Sequence, residues 1–202
     1  MYVTRRIEYE IIPDESFGVI RRCSGCRAKT RFVNTGKFRV NANGAKLDVW
    51  LIYQCEACKH TYNLNIYERV SASSIARKEY ERFLCNDTLL AREYGRDLPV
   101  FQRNKAEIDR KNQKYHYMQR ENSIDDRDML IQNSVNEGAG MEEKMFFLVI
   151  HNPCCLQIRP QRQLADVLEL SLSRVNQLLE REEMKVERIA KEEIRVYIPE
   201  NV

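Results

Sequence analysis

Alternating apolar and polar residues predict β-structure in the first third of the chain. In RIEYEII, Ile7, Tyr9 and Ile11 alternate with glutamates, which is the period of a half-buried strand. KFRVNANGAKLDVWLIYQC predicts a hairpin, because Asn43-Gly44 suits a type I′ turn in which both central residues need positive φ. The strand after that turn should place four side chains on one face: Leu47, Val49, Leu51 and Tyr53. With one more strand in YNLNIY, the first 70 residues are predicted to form a small antiparallel sheet.

Helical spacing replaces alternation after residue 70. IARKEYERFL predicts a helix that starts near Ile75, with Ser73 or Ser74 as its cap. Asp87 is placed to cap a second short helix, which Gly95 ends. KYHYM then predicts a short strand, and the polar stretch that follows, with its Gly-Ala-Gly, predicts a long loop or linker.

The C-terminal quarter predicts strands, two helices and a hairpin. KMFFLVIHN has the apolar run of a buried strand, and CLQIR is a candidate for another. Pro160 suits the first turn of a helix, and Ser171 or Ser173 is expected to cap the next one. MKVERI and IRVYI are predicted to close the chain as a hairpin.

We therefore expect an α+β protein in four parts. These are an N-terminal antiparallel β domain (1–70), a helical connecting segment (71–118), a polar loop or linker (119–143) and a small C-terminal α/β module with two short helices and a hairpin (144–202). Apolar runs such as FFLVI are too short to cross a bilayer, and the N-terminus lacks the apolar core of a signal peptide. A cytoplasmic location without a membrane partner is expected.

Two cysteine pairs carry the strongest chemical signal in the chain. Cys23-x-x-Cys26 is followed after 28 residues by Cys55-x-x-Cys58, with the predicted hairpin between the pairs. Zinc prefers four ligands in a tetrahedron, and two thiolates three residues apart can bind one ion from a tight turn. The pattern predicts a zinc ribbon with one structural zinc ion, because four cysteines leave no position for water or substrate. Iron is the alternative for four thiolates.

Other interpretations of these cysteines have less support. Redox CxxC motifs normally occur singly and near a βαβ pattern, which this segment lacks. His60, two residues after Cys58, is an alternative ligand, but it is expected to be a surface group or a neighbour of the ligands. The seven cysteines are an odd number, which does not favour a disulfide scaffold.

No catalytic constellation emerges, so an enzyme is not expected and no small-molecule substrate is evident. Cys154-Cys155 near His151 resembles a nucleophile with its base, but adjacent residues of a strand point to opposite faces. The acidic cluster Asp125, Asp126 and Asp128 lacks the glycine and the terminal glutamate of a calcium loop. Both are expected to be structural or solvated.

Positive charge is concentrated in the segment that holds the cysteine pairs. Residues 1–70 carry 12 Lys and Arg against 7 Asp and Glu, whereas the whole chain has a net charge of only +3. Five cations flank the first pair: Arg21, Arg22, Arg27, Lys29 and Arg31. They are candidates for contact with the phosphates of a nucleic acid, and the alternative is that they balance the −2 charge of a four-thiolate zinc site.

The segment IRPQRQLADVLELSLSRVNQLLEREEMKVE resembles the small RNA-binding fold of ribosomal small-subunit protein S-four and of pseudouridine synthases. Leu164, Leu168, Ser173-Arg174, Leu178 and Val186 match its pattern, whereas Glu182-Glu183 depart from it. A generic helix–turn–helix core is the alternative explanation of the same apolar spacing. The resemblance implies RNA contacts from this module, for which Arg162 and Arg174 are the candidate residues.

Most of the chain also resembles a bacterial family, domain of unknown function 1062. The Asn-Ala-Asn-Gly turn followed by LDVWLIYQC carries this resemblance, together with LVIHNPCCLQIR. The family implies no activity and no catalytic residues. We therefore expect a non-enzymatic zinc protein that binds RNA or another nucleic acid as an accessory factor, and the alternative is a protein–protein adaptor in which zinc is purely structural.

Overall fold

A computed structural model describes residues 2–120 and 144–199, and these residues are mostly β-structure. Strands account for 45% of them and helices for 24%. The ten strands are β1 (Tyr2–Pro13), β2 (Val19–Arg22), β3 (Lys29–Asn43), β4 (Lys46–Cys55), β5 (Thr61–Ser71), β6 (Glu107–Ile108), β7 (Tyr115–Arg120), β8 (Lys144–His151), β9 (Lys185–Ile189) and β10 (Glu193–Pro199). The five α-helices of the described residues are α1 (Arg77–Leu84), α2 (Thr88–Tyr94), α3 (Leu98–Arg103), α4 (Pro160–Leu168) and α5 (Leu172–Glu180).

The predicted α+β arrangement is wrong, because the described residues are mostly strand and build two five-stranded sheets. One sheet has the order β5-β4-β3-β2-β6 with antiparallel pairing throughout, so the hairpin of β3 and β4 is its centre and not a separate zinc ribbon. Strand β6, which sequence patterning missed, pairs with β2 through Val19 and Ile108. The sheet therefore draws strands from both sides of the predicted boundary at residue 70.

The central hairpin confirms the predicted alternation and corrects its turn. The four apolar residues expected on one face of β4 are all buried: Leu47, Val49, Leu51 and Tyr53. The turn is shifted by one residue, since Asn43 pairs with Lys46 and leaves Gly44 and Ala45 as the two loop residues. Gly44 has φ +60°, while Asn43 and Ala45 keep negative φ. Glycine at the first loop position is the requirement of a type II′ turn, not of the predicted type I′ turn.

Three short helices contact this sheet and do not form a separate helical segment. Helices α1 and α2 contact β3, and α3 contacts β5. Asp87 caps α2 as predicted, because its side chain accepts a hydrogen bond from the Leu90 N–H. Helix α1 begins later than predicted, at Arg77, without a side-chain cap. The helices are only six to eight residues long, and helices this short are not stable in isolation. Their stability therefore depends on packing against the strands.

The second sheet has the order β7-β1-β8-β10-β9 and joins distant parts of the chain. Strand β1 pairs in parallel with β8, from Tyr2 opposite Lys144 to Glu10 opposite His151. Strand β10 pairs with β8 and β9, so the predicted C-terminal hairpin is present but belongs to this larger sheet. The separate C-terminal α/β module is therefore wrong.

The expected strand in CLQIR is absent, because a buried asparagine holds this segment as a loop. Asn152 is 2% exposed, and its side chain accepts from the Leu156 N–H and donates to the carbonyls of Leu156 and Lys191. Cys155 has φ +49°, which is incompatible with a strand. Helices α4 and α5 follow, and Ser171 caps α5 by accepting from the Arg174 N–H.

The chain forms two compact units. One is residues 13–115, and the other combines residues 1–12 with residues 116–202. The predicted loop at 119–143 lies almost entirely outside the described residues, and the domain boundaries expected at residues 70, 118 and 143 stay a prediction.

Candidate metal centre

Strand ends bring the two cysteine pairs together. The first cysteine turn (Cys23–Cys26) connects β2 to β3, and the second cysteine turn (Cys55–Cys58) connects β4 to β5. Both β2 and β4 pair with β3, and Phe32 of β3 lies opposite Cys55. Because β3 lies between the two partners, the two turns emerge at the same end of the sheet.

The two cysteine turns have matching backbone geometry. The Cys23 N–H donates to the Ala28 carbonyl at 2.8 Å, and the Cys55 N–H donates to the His60 carbonyl at 2.9 Å. The residue after each second cysteine has positive φ, +57° for Arg27 and +63° for Lys59. Both turns therefore fold their thiols toward a common centre in the same way.

The four sulfur atoms have the spacing of a tetrahedral thiolate site. Cys23 Sγ lies 3.4 Å from Cys58 Sγ, and Cys26 Sγ lies 3.8 Å from Cys55 Sγ. All four Sγ atoms lie within 4.8 Å of one another. A tetrahedron with metal–sulfur bonds of about 2.3 Å has sulfur–sulfur distances of about 3.8 Å. This cysteine cluster (Cys23, Cys26, Cys55 and Cys58) can therefore hold a metal ion.

The electrostatics of the cysteine cluster favour a bound cation. The Thr30 hydroxyl donates to Cys55 Sγ at 3.3 Å and is the main cause that lowers the pKa of Cys55 to about 6. The neighbouring thiols, Cys58 first, raise the pKa of Cys26 to about 12. Crowded thiols resist collective ionisation because each new negative charge repels the others, and a divalent cation removes this cost.

Gly25 allows the two cysteine turns to approach each other. A Cβ atom at position 25 would lie 2.9 Å from Cys58 Sγ and 3.8 Å from Cys23 Sγ. The corresponding position in the second turn is Ala57, which keeps its methyl group. Local sequence patterns predict no role for Gly25, because the clash would arise between turns about 30 residues apart.

His60 lies beside the cysteine cluster and interacts with a serine. Its Nε2 is hydrogen-bonded to Ser24 Oγ at 2.8 Å, which links the two cysteine turns across their exposed side. Within the described residues the metal-binding group comprises the four cysteines alone. His60 is thus a neighbour of the ligands, as expected.

Two of the cations predicted to contact nucleic acid are held by carboxylates. Lys29 Nζ lies 2.6 Å from Glu107. Arg31 lies 2.6 Å from Glu56 and 3.1 Å from Asp109, which is almost fully buried. Local sequence patterns do not reveal these partners, because Glu107 and Asp109 lie almost 80 residues further along the chain.

The remaining predicted cations have varied surroundings. The Arg21 guanidinium lies 3.8 Å from the centre of the Tyr62 ring, a cation–π contact. Arg22 and Arg27 are exposed, and no side-chain partner for either occurs among residues 2–120 and 144–199. In the other compact unit, Arg162 pairs with Asp166 at 2.8 Å, and Arg174 donates to Gln177 at 3.0 Å.

The histidine considered as a base for Cys154 or Cys155 is engaged by two glutamates. His151 Nε2 lies 2.9 Å from Glu8, and its Nδ1 lies 3.3 Å from Glu193. Cys155 Sγ lies 3.8 Å from Glu192. The acidic cluster at Asp125, Asp126 and Asp128, which was not expected to form a calcium loop, lies outside the described residues.

The fold and the cysteine cluster define a β-rich protein with a four-cysteine site that can hold a metal ion. The family model for protein of unknown function (DUF1062) matches residues 40–189, so the chain belongs to this family, as the sequence predicted. This match includes Cys55 and Cys58 but begins after the first cysteine turn. The resemblance to the S-four fold and the bacterial origin stay predictions.

The remaining comparisons are negative. No curated protein and no solved structure matches the chain. Among the described residues, no helix is long and apolar enough to span a membrane.

Proposed function

We propose that the cysteine cluster binds one zinc ion and that this ion has a structural role. The observation that supports this proposal is the convergence of four sulfur atoms from two matched turns. Four protein ligands complete the coordination of zinc and leave no open position for substrate. We therefore propose that the protein is a non-catalytic zinc protein.

The zinc ion would join the two sides of the five-stranded sheet. It would connect the β2–β3 turn to the β4–β5 turn, and β2 and β4 lie on opposite sides of β3 in the sheet. A metal bound by the folded state and only weakly by the unfolded chain stabilises the folded state through its binding free energy. We prefer zinc to iron because a structural cross-link needs no change of oxidation state.

Elemental analysis of the protein purified without chelators tests this proposal. We expect about one zinc ion per chain, and Cys55→Ser should lose the ion and unfold at a lower temperature. Cys85→Ser is the matched control, because Cys85 is exposed and lies outside the cysteine cluster. Iron in place of zinc, or a full zinc content in Cys55→Ser, would contradict the assignment.

We further propose that the protein acts as an adaptor whose partner is another protein. The sequence favours RNA, but Lys29 and Arg31 are paired with carboxylates and Arg21 is stacked on Tyr62. Lys and Arg bind a nucleic acid by neutralising its phosphates and releasing the counterions condensed there, and cations already paired with carboxylates contribute less. With three of the five cations engaged, we favour a protein partner, and Arg22 and Arg27 are the two cations of this group through which a nucleic acid would bind.

Recovery of partners from cells, with and without nuclease, distinguishes the two partner classes. We expect a protein partner whose yield does not change on nuclease treatment. An RNA partner would instead show an affinity that falls steeply with salt and is reduced by Arg22→Glu and Arg27→Glu. That second pattern would reject the adaptor proposal.

A further inference from the structure

The four thiols of the cysteine cluster differ in their access to solvent. Cys23 and Cys55 are 0% exposed, Cys26 is half-buried, and Cys58 is exposed. A cross-link between two sides of a sheet does not require an exposed ligand, so the proposed structural role leaves this difference unexplained. Because the oxidation of cysteines follows their thiolate character and their exposure, Cys58 is the sulfur of this cluster that a dissolved oxidant reaches first.

The buried cysteine of the second turn has a further protection. The Thr30 hydroxyl donates a hydrogen bond to Cys55 Sγ at 3.3 Å, and Cys55 itself is 0% exposed. A hydrogen bond to a thiolate withdraws electron density, and the nucleophilicity of a thiolate falls as its charge is stabilised. The two cysteines of this one turn therefore differ in reactivity, because Cys55 is shielded and Cys58 is accessible.

A second thiol lies in contact with the exposed one. Cys23 Sγ is 3.4 Å from Cys58 Sγ, whereas the other contact between the two turns, from Cys26 Sγ to Cys55 Sγ, is 3.8 Å long. The S–S bond of a disulfide is about 2.05 Å long, so Cys23 and Cys58 need to approach by about 1.4 Å. Gly25 has no side chain beside them, and a Cβ atom there would lie 2.9 Å from Cys58 Sγ. Of the two contacts between the turns, Cys23 with Cys58 is therefore the one suited to form a disulfide.

We propose that Cys58 is a site of oxidation by hydroperoxides and that its disulfide with Cys23 releases the metal ion from the cysteine cluster. The cluster then has two states, one with the ion and four thiolates and one with a disulfide and no ion. This inference rests on the proposed zinc site, because it concerns the regulation of that site.

The reaction has two steps that balance in atoms and electrons. The Cys58 thiolate attacks an oxygen of the hydroperoxide, a sulfur–oxygen bond forms as the O–O bond breaks, and the leaving oxygen takes a proton from water. The Cys23 thiolate then attacks the sulfenic acid sulfur of Cys58, the S–S bond forms as the S–O bond breaks, and the hydroxide that leaves is protonated to water. The two sulfurs together lose two electrons, and the hydroperoxide gains them.

The disulfide removes two of the four ligands but keeps the two cysteine turns joined. Metal ligation requires thiolates, so Cys26 and Cys55 alone would hold the ion only weakly. Cys23 belongs to the β2–β3 turn and Cys58 to the β4–β5 turn, so their bond replaces the cross-link that the ion supplied. The oxidised protein should therefore stay folded without its ion, whereas disulfides within each CxxC pair would leave the turns unconnected.

Treatment of the full-length, zinc-loaded protein with hydrogen peroxide tests the proposal. A chromophoric chelator should detect about one zinc ion released for each hydrogen peroxide molecule consumed, and mass spectrometry of unreduced peptides should locate the Cys23–Cys58 disulfide. Dithiothreitol followed by zinc should restore the loaded protein. Retained zinc, a different disulfide, or an irreversible sulfinic acid at Cys58 overturns the proposal. Protein that contains no zinc before oxidation would instead contradict the proposed function, so the two failures are distinguishable.

Histidine variants locate the reactive thiol, because three cysteines and one histidine also form a structural zinc site. Each variant is first loaded with zinc and its zinc content is measured. Cys58→His should then keep its ion in hydrogen peroxide, whereas Cys26→His, which retains Cys23 and Cys58, should release it. Cys85→Ser should release zinc as the wild type does, since Cys85 is exposed but lies outside the cysteine cluster.

Equal release from Cys58→His and Cys26→His would overturn the assignment of Cys58. If either histidine variant does not bind zinc, the disulfide mapped in the wild-type protein decides the question on its own.

Discussion

At the scale of single residues, a methyl group at position 25 is predicted to weaken metal binding. In Gly25→Ala the new Cβ would lie 2.9 Å from Cys58 Sγ, and a metal-bound sulfur cannot move aside freely. Overpacking of this kind costs about 1 to 3 kcal/mol, so zinc affinity should fall by about fivefold to about 150-fold. Competition with a chromophoric chelator measures the change.

The second cysteine turn offers the control for this substitution. Ala57→Gly alters the corresponding position, where a methyl group is already accommodated, and its zinc affinity should stay close to that of the wild type. If Gly25→Ala binds zinc as tightly as the wild type does, the close approach of the two turns is not a constraint on the site.

The sequence predicted the four cysteines but not the residues around them. Ligand spacing within each CxxC pair is local, so the pattern is visible without the fold. The neutralisation of Lys29 by Glu107 joins residues 78 positions apart, and no local pattern carries that information. The same applies to Thr30, whose contact with Cys55 depends on the register of β3 and β4.

At the scale of elements, three strands of the second sheet are connected by one charged contact. His151 of β8 lies between Glu8 of β1 and Glu193 of β10. Burial alone raises the pKa of Glu8, but the hydrogen bond with His151 and the charge of Arg6 outweigh it. The pKa of Glu8 in the folded protein is therefore below its ordinary value of 4.5.

This contact predicts a specific dependence of stability on pH. Because the folded pKa is lowered, ionised Glu8 stabilises the fold above pH 4.5, and this contribution disappears as the pH falls through the folded pKa. Glu8→Gln should therefore be less stable than the wild type at neutral pH, and the difference should shrink below pH 4.5. Urea unfolding at several pH values measures it.

An exposed glutamate of β9 provides the comparison. Glu187→Gln removes a carboxylate that is exposed on the edge strand, and its stability should follow that of the wild type at each pH. A difference between wild type and Glu8→Gln that stays constant from neutral to acidic pH would show that the ionisation of Glu8 does not contribute.

Elements whose signals are local were predictable, and elements defined by distant contacts were not. Asp87 and Ser171 cap their helices as expected, because capping depends on a side chain and a backbone N–H three residues later. CLQIR was expected to be a strand, but the buried Asn152 satisfies its backbone and leaves a loop. Strand β6 is only two residues long and has no recognisable pattern.

At the scale of the whole molecule, one compact unit is continuous in sequence and should fold alone. Residues 13–115 contain strands β2 to β6, helices α1 to α3 and the complete cysteine cluster. All strand pairs of this sheet form within that range. We expect a fragment of these residues to bind about one zinc ion and to unfold cooperatively.

Circular dichroism and thermal unfolding of this fragment, with zinc and with a chelator, check the expectation. The fragment with Cys55→Ser should lack the zinc-dependent rise in unfolding temperature, and Cys85→Ser should retain it. A fragment that remains unfolded in the presence of zinc would show that the sheet requires the rest of the chain.

The overall arrangement could not be predicted because the second sheet depends on a pairing across most of the chain. The alternation in RIEYEII correctly indicated a strand, but it carries no information on its neighbour. The sequence predicts this strand in one sheet with the following 60 residues, whereas its parallel partner begins at Lys144. Closeness along the chain therefore does not predict which strand pairs with β1 in the sheet.

The parallel pairing of β1 with β8 has a consequence for synthesis on the ribosome. Strand β1 is translated first, but its partners β7 and β8 follow only after residues 13–115 have been made. The continuous unit can therefore fold while β1 still lacks both neighbours, and the second sheet is completed last. During this interval Ile7 and Ile11 lie on the apolar face of an unpaired strand, the kind of exposed surface that chaperones bind in nascent chains.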